Sequence, residues 1–192
     1  MRSYFSFLLL LAVVMSIGCG GSKPLTQTSI DPIPEWFTNP PQDPNFLYAA
    51  RTATSRDLNL AIEKAMINAR AEIARQYELK IEGMTKSFQE EVGSDEDSEI
   101  NQFFSQTVKS VVSTQLMGSR ASKTKHVKDG NNYRVYVLVE YPIGAANQAF
   151  MNALKANRNM YTRFRASEAF KEMDDEVQKY EEWKKQQAQK MN

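Results

Sequence analysis

The sequence predicts an α+β fold: a small mixed or antiparallel sheet packed by two helices, with a long C-terminal helix. Three observations carry that reading. Tyr133, Val135, Val137, Val139 and Tyr141 alternate with Arg134, Tyr136, Leu138 and Glu140, the period of a strand. Ile62, Ala65, Met66, Ala69, Ile73 and Tyr77 recur at three- and four-residue intervals, the period of an amphipathic helix. Residues 144–190 are almost continuously helix-compatible. The chain is read in four parts, 1–18, 19–44, 45–142 and 143–192.

Residues 2–19 read RSYFSFLLLLAVVMSIGC. A short basic start and an apolar run form a secretory signal, too short for a stable membrane span of about 20 apolar residues. Its small-residue end leads into Cys19, the sole cysteine. Ser16-Ile17-Gly18-Cys19 resembles a bacterial lipobox, which implies cleavage before Cys19 and acylation there. Gly18 fits the position before the cysteine; Ser16 stands where Leu is usual. Losing residues 1–18 removes Arg2 and no acid, so 24 basic residues become 23 against 23 acids, a balance of zero. Lipid, rather than a basic surface, would then hold the chain to a membrane; several acyl chains, at about 0.8 kcal/mol per buried CH₂, anchor firmly. By resemblance to bacterial lipoproteins, Gly20 in place of the Asp associated with inner-membrane retention implies an outer-membrane location where the organism has two membranes, with the domain facing the periplasm.

Residues 20–44 hold six of the seven prolines, an extended, poorly helical tether. Ile33, Trp36 and Phe37 interrupt it. They are expected to fold back onto the domain, with partner docking as the alternative. Phe46–Ala50 reads as a first strand. Thr54 or Ser55 caps a helix over 55–77 whose Ala-rich face permits close approach to a sheet. Glu63, Arg70, Glu72 and Arg75 read as solvated helix residues.

Leu79, Ile81, Gly83 and Thr85 alternate with Lys80, Glu82, Met84 and Lys86, which predicts a strand over 78–89. Residues 93–98 form a turn and a helix start. Their acids suit a helix N-terminus better than a calcium loop, whose twelve-residue spacing is not reproduced. A helix over 96–111 follows, with Ile100, Phe103, Phe104, Val108, Val111 and Val112 on its apolar side. Residues 113–128 read as one or two strands diluted by Gly, Ser and Lys, hence an edge or a bulge. Asp129-Gly130 marks a hairpin, with Asn131-Asn132 able to lengthen it. The strand after it, ended by Pro142, is expected to be central or helix-covered.

In the last part, Phe170, Met173, Val177, Tyr180 and Trp183 form an apolar stripe along a helix that projects beyond the domain. Two readings stay open: the stripe mediates self-association or docking, or it packs along its own domain.

The 192 residues carry 24 basic and 23 acidic side chains, a net charge of +1, so no global field for nucleic acid. One Cys and one His, His126 on a strand, argue against zinc sites and Cys–His dyads. There is no phosphate loop, serine elbow or paired-histidine motif. No catalytic residue, metal ligand or cofactor is assigned, and the chain is read as a non-enzyme. A carboxylate-based cell-wall hydrolase is the rival, as is a peptide- or glycan-binding module.

Tyr48-Ala49-Ala50-Arg51-Thr52-Ala53, then Asp57, Ala61, Ala65 and Ala69-Arg70-Ala71-Glu72-Ile73-Ala74, then Tyr133 to Val139, behind an exported Cys, resemble the conserved twenty-kilodalton bacterial outer-membrane lipoprotein family. That family in turn resembles flagellar lipoprotein P. Ala49 stands where relatives have Gly. The resemblance covers roughly 45–142 and the targeting segment. It implies a non-enzymatic structural or assembly role in the envelope, a flagellar one included, with membrane lipid, envelope proteins or a second copy as partners.

Overall fold

The computed structural model describes residues 33–93, 97–114, 116 and 119–190. The signal segment and Cys19 lie outside them. A single helical turn, α1 (Glu35–Thr38), leads into strand β1 (Phe46–Ser55). Helix α2 (Leu58–Val92) and helix α3 (Ser98–Thr114) follow, then β2 (Ala121–Asp129) and β3 (Asn132–Pro142). Three helices complete the chain: α4 (Ile143–Ala156), α5 (Arg158–Phe164) and α6 (Glu168–Lys190).

The strands form an antiparallel sheet in the order β1-β3-β2. β3 is central, as its Val-rich alternation predicts. Its register pairs Ala49 with Val139 and Ala53 with Val135 on one face, and Ala50 with Leu138 and Thr52 with Tyr136 on the other. Asp129 opposite Asn132 leaves Gly130-Asn131 as a two-residue turn, with Gly130 at φ 59°. Only glycine takes that left-handed conformation without strain. β2 is an edge strand with a register irregularity between Ala121 and Lys123. Its lysines are the usual protection of an open edge.

α2 lies on the face carrying Val135, Val137 and Val139. Ala61, Ala65 and Ala69 are fully buried there, and their small side chains let the helix sit close to the sheet. Asp57, not Thr54 or Ser55, caps it: Leu60 N–H donates to Asp57 Oδ1 at 2.9 Å. Asp57 is preferred because β1 runs on to Ser55 and holds the earlier residues in the sheet.

The strand expected over 78–89 is the distal half of α2. Buried residues continue as Ile73, Tyr77, Ile81, Met84, Thr85 and Phe88, a helical spacing, while Leu79 is exposed. This half packs against α3, α5 and α4 through Phe88, Phe104, Phe150 and Phe164, whose rings meet edge-to-face or stacked at 5.0–6.2 Å. Aromatic burial on this scale outweighs the mild strand preference of one short segment. Likewise α3 runs on to Thr114, so the strand expected from 113 starts only at Ala121.

Nor does the C-terminal part project as one helix. Asn157 and Ser167 divide it. Asn157 accepts from Met160 N–H at 3.2 Å, and Ser167 Oγ accepts from Phe170 N–H at 3.1 Å, so each serves as a helix cap. The helix is interrupted at both points, and α6 packs along α4. Phe150, Leu154, Met160 and Phe164 are core residues.

Candidate functional site

Phe37 of the tether sits on the sheet face away from α2, its ring edge-to-face with Tyr136 at 5.0 Å. Trp36 is half-buried. This is the fold-back expected for both. Ile33 does not share it, being 52% exposed. The tether is also locally helical at α1, where Phe37 N–H donates to Pro34 O at 2.9 Å. Pro34 suits this place because an N-cap residue needs only its carbonyl for the helix, and the N–H that proline lacks is not called on there.

The apolar stripe of α6 is largely used inside its own domain. Met173 is fully buried, and Phe170 and Val177 pack against the core. Tyr180 and Trp183 lie outside that core. The α4–α6 crossing is close because Gly144 has no side chain. A Cβ there would overlap the Glu176 carbonyl oxygen and Tyr180 Cβ. Around it is a polar clasp. Lys80 donates to Glu172 at 2.8 Å and to Glu176 at 2.9 Å, Asn147 Nδ2 donates to Glu176 at 2.5 Å, and Gln148 donates to Glu181 at 2.7 Å. Burial works against the charge of Lys80, but its bonds to Glu172 and Glu176 outweigh this and hold its pKa above the ordinary value. Desolvation raises the Tyr77 hydroxyl strongly and pushes Tyr141 up to about 12, so both stay neutral.

Next to the clasp is a surface cluster of aromatics that sequence reasoning did not assemble. Trp183 meets Phe46 edge-to-face at 5.7 Å and stacks with Tyr180 at 5.9 Å; Phe46 in turn lies 6.1 Å from Tyr48. Lys184 Nζ stands 5.2 Å from the centre of the Tyr180 ring. Beside these rings a cleft of about 130 Å³ is lined by Asp43, Asn45, Phe46, Glu176, Lys179 and Trp183, among others. Asp43 Oδ1 accepts from Asn45 N–H at 2.8 Å and from Asn45 Nδ2 at 2.9 Å, an Asx turn that fixes the rim. The available signal was the even positions of β1: Phe46 and Tyr48 share the face opposite Ala49.

A larger groove, about 670 Å³, runs between α2 and α3. Ile81, Phe104 and Val108 floor it, each no more than 4% exposed, so an occupant would cover little new apolar surface. Glu82 and Lys86 on its rim pair with each other at 2.8 Å.

Three groups read as ordinary solvated or helix-start residues have defined positions. Glu72 receives Arg75, Gln76 and Arg51, the last at 2.5 Å, and so joins α2 to β1. Chiefly through the Arg75 hydrogen bonds, its carboxyl is lowered to about 2. Arg70 donates to Ser119 O at 2.9 Å. Asp97 accepts from Glu99 and Ile100 N–H, capping α3, and pairs with Arg163 at 2.7 Å. The Arg163 bond, then the cap, lowers its pKa. His126 is an exposed strand residue. Among the described residues no group of three His, Cys, Asp or Glu side chains is placed to hold a metal, and no helix is long and apolar enough to cross a membrane.

No curated protein matches the chain. The family described as LPP20 lipoprotein matches residues 34–141, from the turn that seats Phe37 through the end of the central strand. That span is more than half of the sequence and includes α2, α3 and the whole sheet, so the chain belongs to the LPP20 lipoprotein family.

Proposed function

We propose that this is a lipid-anchored protein of the outer membrane, acylated at Cys19, with a non-enzymatic structural or assembly role on the periplasmic side. Family membership carries the reading, because it joins a lipoprotein domain to a sequence whose only cysteine closes a signal-like segment. The arrangement of carboxylates supports a non-enzymatic role. Glu172 and Glu176 converge on Lys80, Glu72 is saturated by arginines, and Asp97 is divided between a helix cap and Arg163. Charge neutralised in this way orders the fold and commits these four carboxylates to structure, rather than to the pairing of a raised acid with a free base that glycan hydrolysis requires. The tether and the aromatic cluster around Trp183 are the surfaces offered to envelope partners.

Mass spectrometry of the mature N-terminus tests the anchor. An acylated Cys19 is the expected result; a free amine and thiol, or cleavage elsewhere, would refute it. In-cell cross-linking tests the role. Recovery of a defined envelope complex, a flagellar one included, supports assembly. A monomer with no retained partner, or turnover of purified cell wall that is lost on changing specific carboxylates, refutes it.

A further inference from the structure

We infer that the cleft beside Trp183 binds a neutral pyranose sugar of an N-acetylated glycan. Four aromatic rings, Phe46, Tyr48, Tyr180 and Trp183, form a chain of contacts outside the hydrophobic core. Trp183 is 37% exposed, the most exposed large aromatic among the described residues. Aromatic surface gathered at the solvent boundary has no role in the core and suits a ligand with one apolar face.

The polar rim narrows the ligand class. Asp43 and Asn45 supply a carboxylate and an amide on a fixed Asx turn, and Lys179 supplies an ammonium with no ion pair among the described residues. Acceptors and donors thus stand beside the rings of Phe46, Tyr180 and Trp183 in the cleft lining. A pyranose matches this pattern: its axial C–H face stacks on a ring while its equatorial hydroxyls and acetamido group bond in the plane. Charge selects a neutral ligand. The rim holds one carboxylate, Asp43, and one ammonium, Lys179, besides Glu176, which is already committed to Lys80 and Asn147. Size selects a ring rather than a chain. About 130 Å³ is too small to enclose a whole pyranose, so the cleft takes one face or edge of a single ring and leaves the rest in solvent. The envelope reading guides the choice of glycan, but the chemistry of the cleft stands apart from the anchor.

The test uses the full chain in detergent, with tri-N-acetylglucosamine as the probe and maltotriose as the control. With Trp36→Phe, Trp183 is the sole indole reporter. A saturable change in its emission is expected with a Kd on the order of a millimolar, normal for a ligand of one or two rings. Ligand-observed NMR then compares variants. Trp183→Ala should weaken binding by more than about tenfold, Trp183→Phe should restore part of it, and Lys109→Ala in the α2–α3 groove should leave it unchanged. A response that does not saturate, that survives Trp183→Ala, or that maltotriose reproduces equally would overturn the assignment. So would tighter binding of an apolar peptide at the same residues. Failure of Cys19 acylation would show in the mass of the mature N-terminus and leave this titration untouched, so the two readings fail separately.

Discussion

Gly144 illustrates how much one missing methyl group can decide. α4 and α6 touch where it stands, and the atoms that a Cβ would meet are backbone carbonyl and Cβ, neither of which can rotate away. Gly144→Ala must therefore move a helix. The expected cost is about 1–3 kcal/mol, offset only slightly by alanine's better helix propensity. Urea unfolding of the variant checks it, and a midpoint equal to that of the wild type would show that α6 shifts freely. Glu72 gives a second prediction at this scale. Its pKa falls from the ordinary 4.5 to about 2 on folding, through the Arg75 hydrogen bonds first and the Arg51 charge as well. A depressed acid contributes stability above its unfolded value and loses it as protons bind. The contribution should be complete above pH 4.5 and vanish as pH falls towards 2. Solvent around the partly exposed arginines screens it to on the order of 1 kcal/mol. Glu72→Gln should thus flatten the acid limb of a stability–pH curve in that window. An unchanged slope would mean that other carboxylates govern acid unfolding.

Among the elements, α2 shows most clearly what a sequence hides. Its first half is legible from Ala61, Ala65 and Ala69, whose spacing admits only one period. Its second half holds Gly83 between Ile81 and Thr85, and over eight residues the polar–apolar alternation there fits a strand as well as a helix. The choice is made by residues far along the chain, Phe104, Phe150 and Phe164, which bury Ile81 and Phe88 together. Long-range packing of this kind leaves no local trace. The hairpin, the central β3 and the edge character of β2 were legible because turn chemistry and a period of two are local. Of the predicted interaction residues, Phe37 folds back onto the domain as expected, and for Met173 the reading of the stripe as packed along its own domain is the one that holds. The aromatic cluster was half visible: Trp183 and Tyr180 were legible as a stripe, whereas Phe46, Asp43 and Asn45 reach it only through the fold. Gly83 itself now yields a prediction. A Cβ there would meet nothing within contact range, so Gly83→Ala should stabilise the protein by about 0.5–1 kcal/mol. A lower thermal midpoint would mean that the helix needs glycine for a reason outside its packing.

For the whole molecule, the division of α6 between core and surface decides how assembly can be probed. Met173 in its second turn is fully buried, and Glu176 joins Lys80 on α2 to Asn147 on α4. Removing the chain from Ala166 onward would uncover Phe164 and Tyr161, on which Phe170 packs, and leave Lys80 and Asn147 without the partners α6 supplies. Loss of a complex after such a truncation would report unfolding as readily as a lost interface. Point changes separate the two. Met173→Ala should cost about 2–5 kcal/mol, in line with a buried methionine, and lower the thermal midpoint. Trp183→Ala, at the solvent boundary, should cost less than about 1 kcal/mol. If α6 contributes an interface, the detergent-solubilised native complex should lose mass in Trp183→Ala while the thermal midpoint holds. If the sheet domain alone forms the interface, native mass should be preserved in Trp183→Ala and change when Phe37 is replaced, because Phe37 seats the tether on Tyr136. A complex whose mass follows stability in every variant, falling in Met173→Ala and holding in both aromatic changes, would exclude both surfaces. The outer face of α2, with exposed Leu60, Ile67, Leu79 and Val92, would then be the next surface to change.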